Sequence, residues 1–358
     1  MVQLKITCSK WSICLVATTL LSTGCSSSAP DSKGSSNLPK VVATSTVLCD
    51  LTQQIAGQTI DLTCLVKPGV DPHAYALSPR DRKAIEQAQL VLYNGYGLEP
   101  NFETAIQAAA GDIAKVAVAE EAVPKPLLGA VHDHGAEAED HKDEENHADK
   151  HDHGHSEDDH ADEKQEAHAQ EADQTPDPHV WHSPKQGAEM VTVLAGSLAK
   201  LVPDQAETYA QNSKEVVTEL DKIDGWIQAQ IQTIPAPQRK LFTTHESLAY
   251  FANAYGLTVE GTLQGFSTEE KPSAARVKDV VEDIKAAKVP AIFLESGETP
   301  KLMRTVAKEA GVQIASTELF ADALGEENSR GSTYQTMLIA NTETIVKGLG
   351  GQYTAYRN

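Results

Sequence analysis

The sequence predicts an α/β fold of two lobes, each with a parallel-type sheet flanked by helices, joined by one long α-helix. Three observations carry that expectation. From Lys40 onward, short β-branched runs alternate with longer helical stretches, as expected where helices cover a parallel sheet. The alternation breaks off once, in an acidic tract, and then restarts. Between the break and the restart, residues 204–233 hold helical spacing with no Pro and one Gly. The length of 358 residues exceeds one ordinary core and suits two, and a hydrophobic content of 40% is enough to pack them.

In the first lobe, Lys40–Thr46 and Ile60–Val66 read as strands with a helix between them that stops at Gly57. Ser78-Pro79 reads as an N-cap and first helical residue, and Gln89–Tyr93 as the next strand. Periodicity vanishes after Val123, and residues 124–176 hold almost no large apolar side chain. The whole stretch 124–176 reads as disordered, with the His- and acid-rich insertion proper at 131–173, because nothing there offsets the entropy of folding. A helix from Ser183 to Leu201 follows. The linking helix, 203–234, would span about 45 Å and act as a strut. The second lobe restarts with strands at Lys240–Thr243, Leu257–Glu260, Pro290–Leu294 and Val312–Ala315, interleaved with helices and closed by one over Thr333–Leu349. The expected domains are an N-terminal lobe over 39–202 and a C-terminal lobe over 235–358.

Ahead of them, Lys5 and Lys10 precede an apolar run from Trp11 to Leu21 and the small residues Ser22-Thr23-Gly24-Cys25. The run is short for a membrane span and has the layout of a secretory signal. Residues 1–24 are therefore expected to be a signal peptide. Cys25 would be a lipid anchor and 26–38 a Ser-rich leash, which puts the mature chain outside the cytoplasmic membrane on a tether. A cleaved, soluble form is the alternative.

The net charge of -21 is concentrated. Residues 131–177 carry eighteen Asp/Glu against three Lys, so one segment makes the protein acidic. Nucleic acid as a partner is excluded, since phosphates call for a Lys/Arg surface. Of five cysteines, Cys8, Cys14 and Cys25 fall to the signal and anchor, leaving Cys49 and Cys64. In an oxidising compartment these two are a candidate disulfide, although spacing alone does not decide whether they meet. No CxxC is present, which argues against a thiolate metal site.

Nine of the thirteen histidines lie in the acidic tract; the others are His73, His179, His182 and His245. His73 and His179 each close an Asp-Pro-His tripeptide, more than a hundred residues apart. Proline stiffens the backbone before each imidazole, and the aspartate two places earlier is placed to accept the ring's other N–H, directly or through the backbone turn. A single Asp-Pro-His is a common turn opener, but two copies beside ordered elements point to metal ligands. His245 follows the strand Lys240–Thr243, at the strand end where open α/β sheets bind ligands. Three imidazoles from separate segments and no thiolate suit zinc in tetrahedral coordination. Manganese would call for more carboxylate. Asp322 is the candidate fourth ligand, with solvent as the alternative, and His182 is expected to point elsewhere. His132, His134, His151, His153 and His155 mark the densest parts of the tract and read as a low-affinity metal collector.

These motifs resemble those of the zinc/manganese solute receptors of ABC importers, the cluster A-I family. The resemblance rests on Asp71-Pro72-His73-Ala74-Tyr75, Asp177-Pro178-His179-Val180-Trp181, the stretch from Phe242 to Leu257, Phe293-Leu294-Glu295-Ser296, and the segment FADALGEENSRGSTY around Asp322. It implies two lobes on a rigid long helix and Zn(II) carried as the transported ligand. It also implies a membrane permease as partner, and a monomer. His245 stands where the family's manganese receptors carry Glu, which favours zinc. Residues 131–173 resemble the acidic His-rich loop of many zinc members. Pro72, where some zinc members carry an acid, leaves the fourth position between Asp322 and solvent. A zinc hydrolase is the rival from another class, with Glu246 as its base. The chain holds no HExxH, GxSxG or P-loop to support an enzyme.

Overall fold

The computed structural model describes residues 38–130, 174–269, 271–297 and 300–357. The expected signal peptide, Cys25 and the five collector histidines His132, His134, His151, His153 and His155 lie outside the described residues.

The first half is built as β1 (Lys40–Ala43), α1 (Thr46–Ala56), β2 (Asp61–Cys64), α2 (Pro79–Gln87), β3 (Leu90–Tyr93), α3 (Pro100–Ala108), β4 (Ala114–Ala117) and α4 (Val118–Ala122). Its strands form a parallel sheet in the order β2-β1-β3-β4. All four residues of β3 are buried, as expected of a strand covered on both faces. Ser45 caps α1 by accepting the Leu48 N–H, and Ser78 with Asp81 closes a capping box on α2. Gly57 ends α1 at φ 57°, a conformation that costs glycine little. Cys49 on α1 is disulfide-bonded to Cys64 at the end of β2, their Cα atoms 5.6 Å apart.

Here the structure corrects the expectation of a disordered 124–176. Residues 124–130 and 174–176 are placed, and β5 (Leu128–Ala130) pairs antiparallel with β6 (Gln174–Pro176). The ribbon escapes sequence reading because its strands are three residues each and flank the acidic tract.

Next come α5 (Pro184–Leu201) and α6 (Ala206–Gln232). The long helix has 27 residues and begins after a 3-10 turn at Pro203–Gln205, so it is somewhat shorter than the spacing predicts. Tyr209, Val216, Leu220, Ile223, Ile227 and Ile231 recur at helical spacing and are buried.

The second half holds β7 (Lys240–Thr243), α7 (Ala249–Tyr255), β8 (Thr258–Thr262), α8 (Ala274–Ala287), β9 (Ala291–Ile292), α9 (Lys301–Ala310), β10 (Gln313–Ile314) and α10 (Tyr334–Gly348). The pairs β7–β8 and β9–β10 are both parallel. A bond from the Phe293 N–H to the Phe242 carbonyl, 3.0 Å, sets the two pairs side by side. One apolar core is shared by both halves. It runs from Val41 and Leu92 through Leu220 and Ile227 of α6 to Phe251, Tyr334 and Leu338. Gly187 makes room for that junction, since a Cβ there would stand 2.1 Å from the Tyr334 hydroxyl.

Because α6 sits at the centre of the shared core, truncation along its buried face destabilises the whole molecule. Leu220→Ala is expected to cost about 2–5 kcal/mol. Lys214→Ala, on the exposed face, is expected to stay within about 0.5 kcal/mol. Denaturant unfolding of both variants measures the difference.

Candidate metal centre

Each of the four groups that sequence reading singles out sits in a loop. His73 lies between β2 and α2, and His179 between β6 and α5. His245 stands two residues past β7, and Asp322 between β10 and α10. All four are buried, and their donor atoms lie within 4.8 Å of one another. Among the described residues they are the group of His, Cys, Asp and Glu side chains able to hold a metal ion.

Four of the six donor separations lie close to what one small cation requires. Four donors each about 2.0–2.1 Å from a tetrahedral centre stand about 3.3–3.4 Å apart. The Asp322 Oδ1 atom lies 3.2 Å from His245 Nε2, 3.3 Å from His179 Nε2 and 3.6 Å from His73 Nε2. The Nε2 atoms of His73 and His179 are 3.4 Å apart.

The surroundings fix which lone pairs point inward. Asp177 Oδ1 accepts both the His179 backbone N–H, at 2.9 Å, and its Nδ1–H, at 2.8 Å. Glu295 Oε2 lies 2.6 Å from His245 Nδ1 and also accepts the His245 backbone N–H. In the neutral ring, with the Nδ1 proton given to a carboxylate, Nε2 is left as a bare acceptor. His245 Nε2 and Asp322 Oδ1 are both buried without a hydrogen-bond partner, 3.2 Å apart. Two facing acceptors in a dry site repel unless a cation, proton or metal, stands between them.

The two Asp-Pro-His copies are not equivalent. Asp71 Oδ1 accepts the His73 backbone N–H at 2.8 Å, while Oδ2 accepts the Thr268 hydroxyl at 2.6 Å. Asp71 therefore shapes the turn before His73 and ties it to the second half, where Asp177 orients its imidazole directly. Asn94, at the end of β3, donates to the Pro178 carbonyl and fixes the other copy from below.

Charge follows from this geometry. Burial alone pushes the His179 and His245 imidazoles down, but neighbouring carboxylates outweigh it and raise both. The carboxylates are Asp177 and Asp322 for His179, and Asp322 and Glu295 for His245. Burial would raise Asp322, yet the imidazoles around it hold its carboxyl well below the usual range.

His182 lies outside the cluster, as its sequence position suggests. Its Nε2 contacts the Ala321 carbonyl at 2.9 Å, and burial together with His179 pushes its imidazole down to about 3. Glu246, the hydrolase base considered from sequence, is not one of the four; burial raises its carboxyl. Glu295 is the residue sequence reading left without a role. Its signal is an acid ending the apolar run Ala291-Ile292-Phe293-Leu294, where a buried carboxylate needs a partner.

Among the described residues no helix is long and apolar enough to cross a membrane. A family model described as zinc-uptake complex component A, periplasmic (ZnuA), matches residues 41–348. The manganese-binding lipoprotein MntA of Bacillus subtilis (strain 168) is 30% identical over 331 residues, 91% of this chain and 94% of that one. The zinc-binding protein TroA of Treponema pallidum (strain Nichols) is 31% identical over 316 residues, 87% of this chain and 89% of that one. The solved periplasmic zinc-binding protein TroA superposes with a TM-score of 0.71 at 30% identity, over 87% of this chain and 99% of that chain. The two-lobed α/β fold on a long helix is thus a shared one. The chain belongs to the family of periplasmic zinc-uptake components, and it is a metal-binding receptor and not an enzyme.

Proposed function

We propose that this protein captures Zn(II) between its two lobes, with His73, His179, His245 and Asp322 as ligands, and delivers it to the membrane permease of an ABC importer. The observation that carries the zinc reading is the donor set, three imidazole nitrogens around one carboxylate oxygen that stands 3.2 Å and 3.3 Å from two of them. Zinc accepts such a set readily, whereas manganese favours oxygen donors and more of them. Manganese is the second reading, and MntA, at 30% identity, favours it. His245 weighs against it, because it places nitrogen where an oxygen donor would serve manganese better.

The remainder of the proposal concerns setting. Lipidated Cys25 would tether a monomer outside the cytoplasmic membrane, with residues 26–38 as leash, and docking on the permease would loosen the site for release. The proposed boundaries remain 1–24 for the signal peptide, 39–202 and 235–358 for the lobes, and 203–234 for the linking segment. The tract 131–173 is proposed as a low-affinity zinc collector separate from the transport site. The pairing of Ala130 with Gln174 supports that separation, since it joins the two described residues that flank the tract.

Competition titration of zinc against manganese tests the central reading. Wild type is expected to prefer zinc. His245→Glu should lose zinc affinity and narrow the gap to manganese. Asp322→Ala should lose more than the roughly 10–100-fold that removal of an outer partner costs. A wild type preferring manganese would sink the zinc reading.

Affinity should also depend on pH with a definite sign. Burial works against it, but the neighbouring carboxylates raise His179 and His245 above the ordinary imidazole value of 6.5, so the metal-free site holds protons that binding must displace. Zinc affinity is therefore expected to fall as pH drops, with the fall beginning above 6.5. Calorimetric titrations across that range, with the buffer's own proton uptake corrected, measure the onset and the protons released.

Replacing 131–173 by a short turn between Ala130 and Gln174 should leave one tight zinc site and remove only weak ones. Equilibrium dialysis against chelators of graded strength counts both classes. Loss of the tight site with the tract would show that the ligands are wrongly assigned.

A further inference from the structure

Asp322 comes late in the chain, between β10 and α10, so its position in sequence assigns it to the second half. Its hydrogen bonds divide differently. Up to Phe320 the backbone is held by the second half and α10. The Leu319 N–H donates to the Leu294 carbonyl at 2.8 Å, and Asn341 of α10 bonds both the N–H and the carbonyl of Phe320 at 2.8 Å.

One residue later the partners change. The Ala321 carbonyl accepts from Trp181 Nε1 at 3.1 Å and from His182 Nε2 at 2.9 Å. The Leu324 N–H donates to Thr46 Oγ1 at 2.8 Å, and the Leu324 carbonyl accepts from the Gly69 N–H at 2.9 Å. Thr46 opens α1, and Gly69 lies four residues ahead of His73. Every one of these partners belongs to the first half. Trp181, His182, Ala321 and Leu324 are all buried, so no water stands in for a lost donor. The turn is also backed by Tyr334, whose hydroxyl donates to the Trp181 carbonyl at 2.5 Å and whose N–H donates to Asp50 at 2.8 Å.

We infer that Trp181 and His182 are positioning residues for the fourth metal ligand: through the Ala321 carbonyl they fasten the Asp322 turn to the first half. This rests on the metal-centre reading above. His73, His179 and Asp322 then form one preassembled set. His245, held from behind by Glu295 of the second half, is the single group that arrives from the other side. His182 serves as a neutral donor, its Nε2–H committed to a carbonyl, and it never coordinates the metal. Its proximity to His179 in sequence reflects one rigid turn (Val180–His182) that orients a ligand at its start and grips the Asp322 loop at its end.

A double-mutant cycle on the mature chain tests this. Zinc affinity is measured for wild type, His182→Leu, Asp322→Ala and the double variant. His182→Leu keeps the volume and removes the donor, and it should weaken zinc by about 10–100-fold, the range for outer partners. In the Asp322→Ala background the same change should cost less than about twofold, because the group it positions is gone. His182→Gln, whose amide N–H reaches to a similar place, should recover most of the affinity. An equal loss in both backgrounds, or no rescue by Gln, overturns the inference.

Hydrogen exchange on the metal-free protein provides a readout independent of zinc. In His182→Leu the Leu324 amide should exchange faster, while those of Leu319 and Phe320 keep their wild-type rates. Unchanged Leu324 protection also overturns the inference. Trp181→Phe, which removes the other donor, gives the same comparison if His182→Leu does not fold. If wild type binds no zinc, the metal-centre reading fails by itself, and the exchange experiment still decides whether the latch exists.

Discussion

A carboxylate oxygen facing three imidazole nitrogens in a dry interior is the constraint around which this molecule is arranged. Asp322 Oδ1 and His245 Nε2 are buried acceptors with no hydrogen-bond donor between them. Left to themselves they repel, and water is excluded from helping. The cluster is balanced only by a positive charge at its centre, supplied by protons or by a metal. The raised imidazoles and the lowered carboxyl are two expressions of that one requirement.

Holding such a cluster together takes more rigidity than loops supply on their own. The strands end beneath the site, the outer carboxylates Asp177 and Glu295 orient two of the rings, and the shared core behind α6 keeps the halves in register. Binding and stability are therefore linked through the same scaffold. A change that loosens the core displaces donors whose separations must match a small cation to within a few tenths of an ångström.

Much of this was legible in the sequence. The Asp-Pro-His repeat, His245 after a strand and Asp322 all reach the cluster, because each announces itself by residue type and local context. The order of strands and helices was legible too, since β-branched runs and capping residues are local signals: Ser78, read as an N-cap, does cap α2, although Ser45, read as part of a strand, turns out to cap α1. The partners that act across the chain were not. His182 reaches a carbonyl 139 residues away, and a carbonyl carries no trace in the amino-acid sequence. Asp71 and Asp177 look alike in sequence, yet one binds a threonine from the other half and the other binds its own histidine's ring. The β5–β6 ribbon is hidden for a different reason: strands of three residues are too short for period-2 alternation to register.

The Cys49–Cys64 bridge gives the fold a dependence on compartment. It closes a span of 15 residues between α1 and β2. By the chain-entropy argument such a closure is worth about 3 kcal/mol, which is a large share of the margin by which a domain stays folded. The same helix carries Thr46, which holds the Asp322 turn, and Asp50, which receives α10. A reduced chain lacks that margin. In an oxidising compartment the bridge strengthens the fold through the same helix that holds the Asp322 turn.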